Sequence, residues 1–389
     1  MAISITNIVT AIENKIAALD SSVSSQDMRH FYNAADFADI TITQTYDSAG
    51  LLPTADSDYR GQIALISNPS SAASGNALYI CLDSGGGVAW NEWQTLDSSS
   101  PYSFQGSTSG YSSGGNTGSP TNSIVKFSFT SDGNATDVGD LTAARSAGSG
   151  QSSTSSGYTS GNSPPGGLTI DKFPFSSDAN ATDVGDLTVA IGSRAGQSSA
   201  DNGYASGGSP PISNVIDKFP FSSDGNATDV GDLTTARSGG GGQSSTSSGY
   251  TSGGNAPPNS NIIDKFPFSS DANATDVGDL TLARNPVAGQ SSTASGYSSG
   301  GTGAPGNTNI IDKFPFSSDA NATDVGDLTA ARGSLAGQSS TVSGYSSGGF
   351  STGNGNENVI DKFSFSSDAN ATDVGDLIAA TSDAAGQQV

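Results

Sequence analysis

The chain has 389 residues, a formal charge of −23, 51 glycines and only 33% hydrophobic residues. That length exceeds one ordinary core and suffices for two domains. The charge repels phosphate backbones and anionic membranes, which argues against nucleic acid and membrane insertion. No stretch approaches the ~20 apolar residues of a membrane span, and the N-terminus lacks the basic flank and apolar run of a secretory signal. Cys81 is the single cysteine and reads as a small buried hydrophobe rather than half of an intrachain disulfide.

In chain order, Ile5, Ile8, Ile12, Ile16 and Leu19 recur at spacings of three and four within residues 3–20, an amphipathic helix. It is too short for a stable isolated coiled coil. It either lies on its own domain or docks onto an assembly or onto its own copies. Residues 1–38 therefore read as a helix and linker for docking or oligomerisation.

From residue 39 the period changes to two, and residues 39–100 read as a small antiparallel β-meander. Trp90 and Trp93 are three apart in its last strand, which predicts a bulge or strand end between them. The succession Gly61-Gln62-Ile63-Ala64, Leu78-Tyr79-Ile80, the Gly85–Gly87 turn and Trp90 resembles a β-module of virion structural and tail-fibre proteins of marine tailed phages. That resemblance implies attachment to other virion proteins through residues 1–100 and location on the virion after assembly in a host cytoplasm. The polar run Ser98–Pro101 marks a domain boundary.

Residues 101–389 are a repeat. Tyr111, Tyr158, Tyr204, Tyr250, Tyr297 and Tyr345 each follow a glycine at intervals of 46–48 residues. A Phe-x-Phe pair (Phe266/Phe268 in the fourth copy) and Asp-Val-Gly-Asp-Leu follow each tyrosine. The fourth copy divides into four strands: Gly242–Thr246, Gly249–Gly254, Ile262–Phe268 and Thr275–Leu280. Period two places Ile262, Asp264, Phe266 and Phe268 on one face. This layout, with Gly-Gly after the second strand, resembles kelch repeats, although Val277 stands near the place of the usual fourth-strand tryptophan. The resemblance implies an all-β, six-bladed kelch-like β-propeller. A β-solenoid is the alternative. Ala384–Val389 is a seventh copy of the first-strand sequence with no second strand after it, so the C-terminal strand is expected to complete the first blade and close the ring.

Few residues carry chemistry. His30 is the only histidine, so no histidine triad, metal cluster or acid–base pair can form. The acidic turns beginning at Asp132, Asp178, Asp224, Asp271, Asp319 and Asp368 partly resemble a calcium loop. Hairpin geometry explains them as well, so weak calcium binding is the one cofactor expectation. Asn134, Asn180, Asn226, Asn273, Asn321 and Asn370 sit in Asn-Ala-Thr sequons, which the turn requirement accounts for. Arg145, Arg237, Arg284 and Arg332 follow the fourth-strand leucine by four residues, with Arg194 displaced and Thr381 in the last copy. With Asp217-Lys218 and its equivalents they are expected to form ion pairs between blades.

The loops after the second and fourth strands differ among copies, whereas those after the first and third are nearly constant. In an up-and-down blade this gives one repeated face and one diverse face. Loop positions Asn116, Asn162, Ser209, Asn255, Thr302 and Phe350 on the diverse face are the candidate binding residues. The resemblance to virion modules implies, with these features, a non-enzymatic virion protein of a tailed phage, a fibre, knob or decoration present in several copies, which contacts a host-surface glycan or protein. A secreted bacterial carbohydrate-binding or adhesive propeller is the competing class, and an enzyme the third.

Overall fold

A computed structural model describes residues 104–162 and 167–389 in full, and strand residues 44–46, 63–66, 76–83 and 88–96 by their backbone. The expected helix at 3–20 and His30 lie outside the described residues. Chain contacts divide the protein into two units, Met1–Pro101 and Tyr102–Val389.

In the first unit, β1 (Gln44–Tyr46), β2 (Ile63–Ile66), β3 (Asn76–Asp83) and β4 (Val88–Leu96) form one sheet in sequence order. β2 pairs antiparallel with β3 and β3 with β4, whereas β1 lies parallel to β2. A parallel neighbour needs a connection longer than a hairpin turn, and the sequence separates the two strands by 16 residues, 47–62. The β3–β4 register passes from Leu78↔Gln94 to Tyr79↔Glu92 and skips Trp93, the bulge that the tryptophan spacing predicted.

The second unit is a propeller of six four-stranded antiparallel sheets. We number the blades by their tyrosines, Tyr111 (blade 1) to Tyr345 (blade 6), and letter the strands A to D from the axis outward. In blade 4 these are Gly241–Ser244, Ser248–Ser252, Ile262–Pro267 and Thr275–Asp279. Blade 1 takes strands B to D from Ser109–Ser113, Thr121–Ser128 and Thr136–Arg145, and strand A from the other end of the chain, Ala385–Gln388. Gln387 pairs with Tyr111 in that closing ladder.

No blade has a core of its own. Tyr250 of blade 4 packs with Ile263 and Leu280 and with Phe314 and Ala322 of blade 5. It stacks on Phe316 at 4.8 Å and 25°, while Phe314 lies tilted at 5.6 Å. The tyrosine–phenylalanine contact recurs at all six interfaces, and each such pair contributes ~0.5–1.5 kcal/mol beyond its buried area. The C–D register shifts between Ile263 and Asp264. The extra residue is Val277 of strand D, so strand C keeps its alternation: Asp264 and Phe266 face blade 3, as period two predicted, and Ile263 on the other face is buried against blade 5. Alternation alone pointed to Ile262, which is half-buried.

Close packing at the axis explains the strand A glycines. A Cβ on Gly242 would lie 2.1 Å from the Gly196 carbonyl oxygen, and the corresponding contact recurs around the ring. The Gly-Gly after strand B has another cause: Gly253 and Gly254 have φ of 63° and 107°, a conformation that L side chains resist.

Two outcomes test this architecture. Removing residues 384–389 strips blade 1 of strand A and should lower the melting temperature by ~10 °C or more; a truncated chain melting with the full-length protein would contradict the closure. Burial raises the phenol pKa of all six blade tyrosines, that of Tyr204 to about 12. The neutral phenol is favoured in the fold, so this stability is complete below the unfolded value of ~10 and is lost as pH rises through the folded value. Melting temperature should fall above pH ~10, and tyrosinate absorbance should rise as the fold is lost; six phenols ionising at pH ~10 with the fold intact would contradict it.

Candidate functional site

Three sets of polar contacts join each blade to the next, a fourth joins five of the six pairs, and together they fix where the loops stand. Nearest the axis, the strand A glutamine donates through Nε2 to the tyrosine carbonyl of the following blade. The six bonds are 2.9–3.0 Å long, from Gln151→Tyr204 round to Gln338→Tyr111 and Gln387→Tyr158. At the rim, the turn alanine N–H donates to a strand D aspartate carbonyl of the preceding blade, as Ala181 does to Asp140. The turn asparagine Oδ1 accepts from the same aspartate's N–H at 3.0–3.1 Å in all six copies. The sequon asparagines thus serve the interface rather than only their own turns.

The third set uses the acidic turns. Lys126, Lys172, Lys218, Lys265, Lys313 and Lys362 each place Nζ within 3.3 Å of Asp178, Asp224, Asp271, Asp319, Asp368 and Asp132 respectively. All six aspartates read as calcium candidates are therefore ion-paired with a neighbouring blade. Among the described residues no group of three or more His, Cys, Asp or Glu side chains is arranged to hold a metal ion. The partners are solvent-exposed, so each pair contributes little.

The fourth set is buried. Arg145–Asp171, Arg194–Asp217, Arg237–Asp264, Arg284–Asp312 and Arg332–Asp361 pair across five interfaces at 2.6–3.0 Å. Each aspartate is fully buried and also accepts the N–H and hydroxyl of a threonine on the arginine's blade, as Asp264 does from Thr234. Burial pulls the guanidinium pKa of Arg194 and Arg237 down against this pairing. Arg194 is displaced by three residues in sequence yet pairs in the same way. It exchanges places with an apolar residue: Ile191 and Arg194 occupy the positions of Arg284 and Val287. At the sixth interface all three partners change together, with Val125 for aspartate, Thr381 for arginine and Ile378 for threonine.

The strand B–C and D–A loops share one face, since the backbone pairs Asn116 with Ser382, Ser209 with Gly192, Asn255 with Ser238, Thr302 with Asn285 and Phe350 with Gly333. The Asn162 side chain accepts from the Ser146 N–H in the same way. The six candidate binding positions are thus equivalent points of one ring, each anchored by a D–A loop. Three are further linked in series: Asn259, Asn307 and Asn356 donate to the carbonyls of Thr302, Phe350 and Asn116 on the following blades.

Within the ring, Phe350 stands out. It opens a short hairpin, Phe350–Ser351 paired with Gly355–Asn356, and the residue is 46% exposed. Glu357 holds the hairpin by accepting from the Ser351 hydroxyl and the Asn354 amide, and these bonds lower its pKa. Ile212, in the blade 3 loop, is 40% exposed. The axis holds a cavity of about 110 Å³ lined by the strand A glycines and by Phe104.

The chain enters the propeller on the opposite face. The Gly106 N–H donates to the Ser339 carbonyl and the Thr108 N–H to the Val389 carbonyl, both at strand A ends that lead into A–B turns. Gln388 Nε2 reaches the Phe104 carbonyl at 2.8 Å. Residues 104–108 therefore cross the repeated face beside the axis.

Sequence reasoning located the loop ring and the arginine–aspartate pairs. It missed the glutamine ring and the cross-blade asparagines, although both residues are invariant among copies whose loops vary. No protein-family model matches the sequence, and no curated protein matches it significantly.

The joint change at the sixth interface supplies a test. Asp264→Val alone leaves a buried arginine unpaired and should cost ~3–5 kcal/mol. Asp264→Val with Arg237→Thr and Thr234→Ile copies the sixth interface and should recover most of that loss in denaturant unfolding. A triple variant no more stable than the single one would show that the three residues do not act together.

Proposed function

We propose that this chain is a non-enzymatic structural protein of a tailed-phage virion: a fibre, knob or decoration held through its first hundred residues, with a kelch-like propeller that meets a host-surface glycan or protein. The observation that carries this reading is the separation of the two faces. Residues 104–108 run along the face built from repeated turns, and the six unlike loops stand together on the other.

Such an arrangement suits display. The repeated contacts specify the ring, so the loops can differ without loss of the scaffold. An exposed phenylalanine among asparagine and threonine side chains is a surface on which a sugar ring or an apolar side chain can lie. The phage assignment draws on the likeness of residues 61–93 to virion modules. The sequence carries a single histidine, His30, and the six turn aspartates proposed as weak calcium ligands are engaged by lysines.

Density-purified phage particles should contain the protein, and labelled full-length chain should bind host cells saturably. Phe350→Ser should weaken that binding about fivefold or more. Recovery of the protein only in culture fluid, apart from particles, would favour a secreted bacterial adhesive propeller instead. Cell binding indifferent to loop substitutions would remove the role proposed for the diverse face.

A further inference from the structure

Six nearly identical blades pose a problem that the apolar contacts cannot solve. The interface of blades 6 and 1 buries Tyr345, Ile360 and Leu377 against Phe127 and Ala135. Blades 3 and 4 bury Tyr204, Ile216 and Leu233 against Phe266 and Ala274. The residue types match place for place, except that the closing interface adds Val125. Packing alone would let any blade dock on any other, and a partly folded chain could close early or join a second chain out of order.

The buried polar set distinguishes the interfaces. In five of them an arginine and a threonine of one blade meet an aspartate of the next. At the closing interface Thr381 and Ile378 stand opposite a blade that carries Val125. The serine ladder of strand A follows the same division. Ser152, Ser198, Ser244 and Ser291 each donate their N–H to the next blade's serine hydroxyl. Gln388 takes the serine's place in blade 1, leaving no hydroxyl for Ser339.

We propose that these substitutions form a matching code that restricts ring closure to blade 6 on blade 1. If blade 5 closed on blade 1, Arg332 would be buried against Val125 with no carboxylate. If blade 6 docked on any of blades 2 to 6, a buried aspartate would meet Thr381 and Ile378 and lose its arginine and threonine donors. Burying a charge without its partner is strongly unfavourable, so each wrong contact carries a penalty while the six correct ones are matched. The code accounts for why all three residues change at one interface and nowhere else.

Erasing the code tests it. Val125→Asp with Thr381→Arg and Ile378→Thr makes the six interfaces alike. The variant should fold, with a melting temperature within ~5 °C of the natural chain. After dilution from denaturant at matched concentrations, gel filtration with light scattering should show the natural chain returning as one species. The variant should yield less of that species, the remainder being oligomers or monomers with a protease-sensitive sixth blade. Val125→Asp alone should melt lower than both. A code-erased chain that refolds as cleanly as the natural one would overturn the proposal. So would a code-erased chain that cannot fold, because the closing interface would then not be interchangeable with the other five.

Discussion

The structure depends on one constraint: a blade satisfies its polar groups and buries its aromatic rings only against the next blade. Tyr250 needs Phe314 and Phe316, Gln243 needs the Tyr297 carbonyl, and Asp264 needs Arg237 and Thr234. Such a chain gains little from one blade in isolation and most when the circle is complete. Sharing blade 1 between the two ends of the sequence turns that circle into a closed ladder. A chain that is only 33% hydrophobic folds on this basis, because each apolar group is used at an interface that occurs six times.

The same constraint divides the two faces. The C–D turns carry asparagines, alanines and aspartates that reach the neighbouring blade, and the A–B turns are closed by a serine hydroxyl that accepts from the turn's own N–H groups, so both sequences are held constant. The B–C loops receive anchoring hydrogen bonds mainly through backbone groups, which any residue offers. Their side chains are therefore free to differ. Diversity on that face, including the exposed Phe350 hairpin, costs the scaffold little.

Much of this was legible in the sequence for a physical reason. Sixfold repetition displays the periodicity of a blade six times, so the four strands, the closing C-terminal strand and the two unlike faces could be read from spacing. The arginine–aspartate pairs were visible because charged residues recurred at fixed places in otherwise apolar strands. What escaped was partner identity. Gln243 and Asn273 read as turn and strand residues, since a hydrogen bond to a neighbouring blade leaves no local pattern. Ile262 and Ile263 fall on opposite faces of strand C, and neighbouring blades cover both faces, so alternation could not say which isoleucine is the buried one. The parallel β1 was hidden because strand direction has no signature within a short segment. Thr381 was visible as the gap in the arginine series, but its connection to Val125 and Ile378 requires the three-dimensional contact between the last blade and the first.

Hydrogen exchange in the native protein tests the central claim most directly. If the ring is one cooperative unit closed by its last strand, the ladder amides of Ala385–Gln388 and of Tyr111 and Ser113 should exchange as slowly as those of Gly241–Ser244 in blade 4, all through global opening. Fast exchange of Ala385–Gln388 while blade 4 stays protected would mean that the ring persists without its closing strand, and would contradict the account.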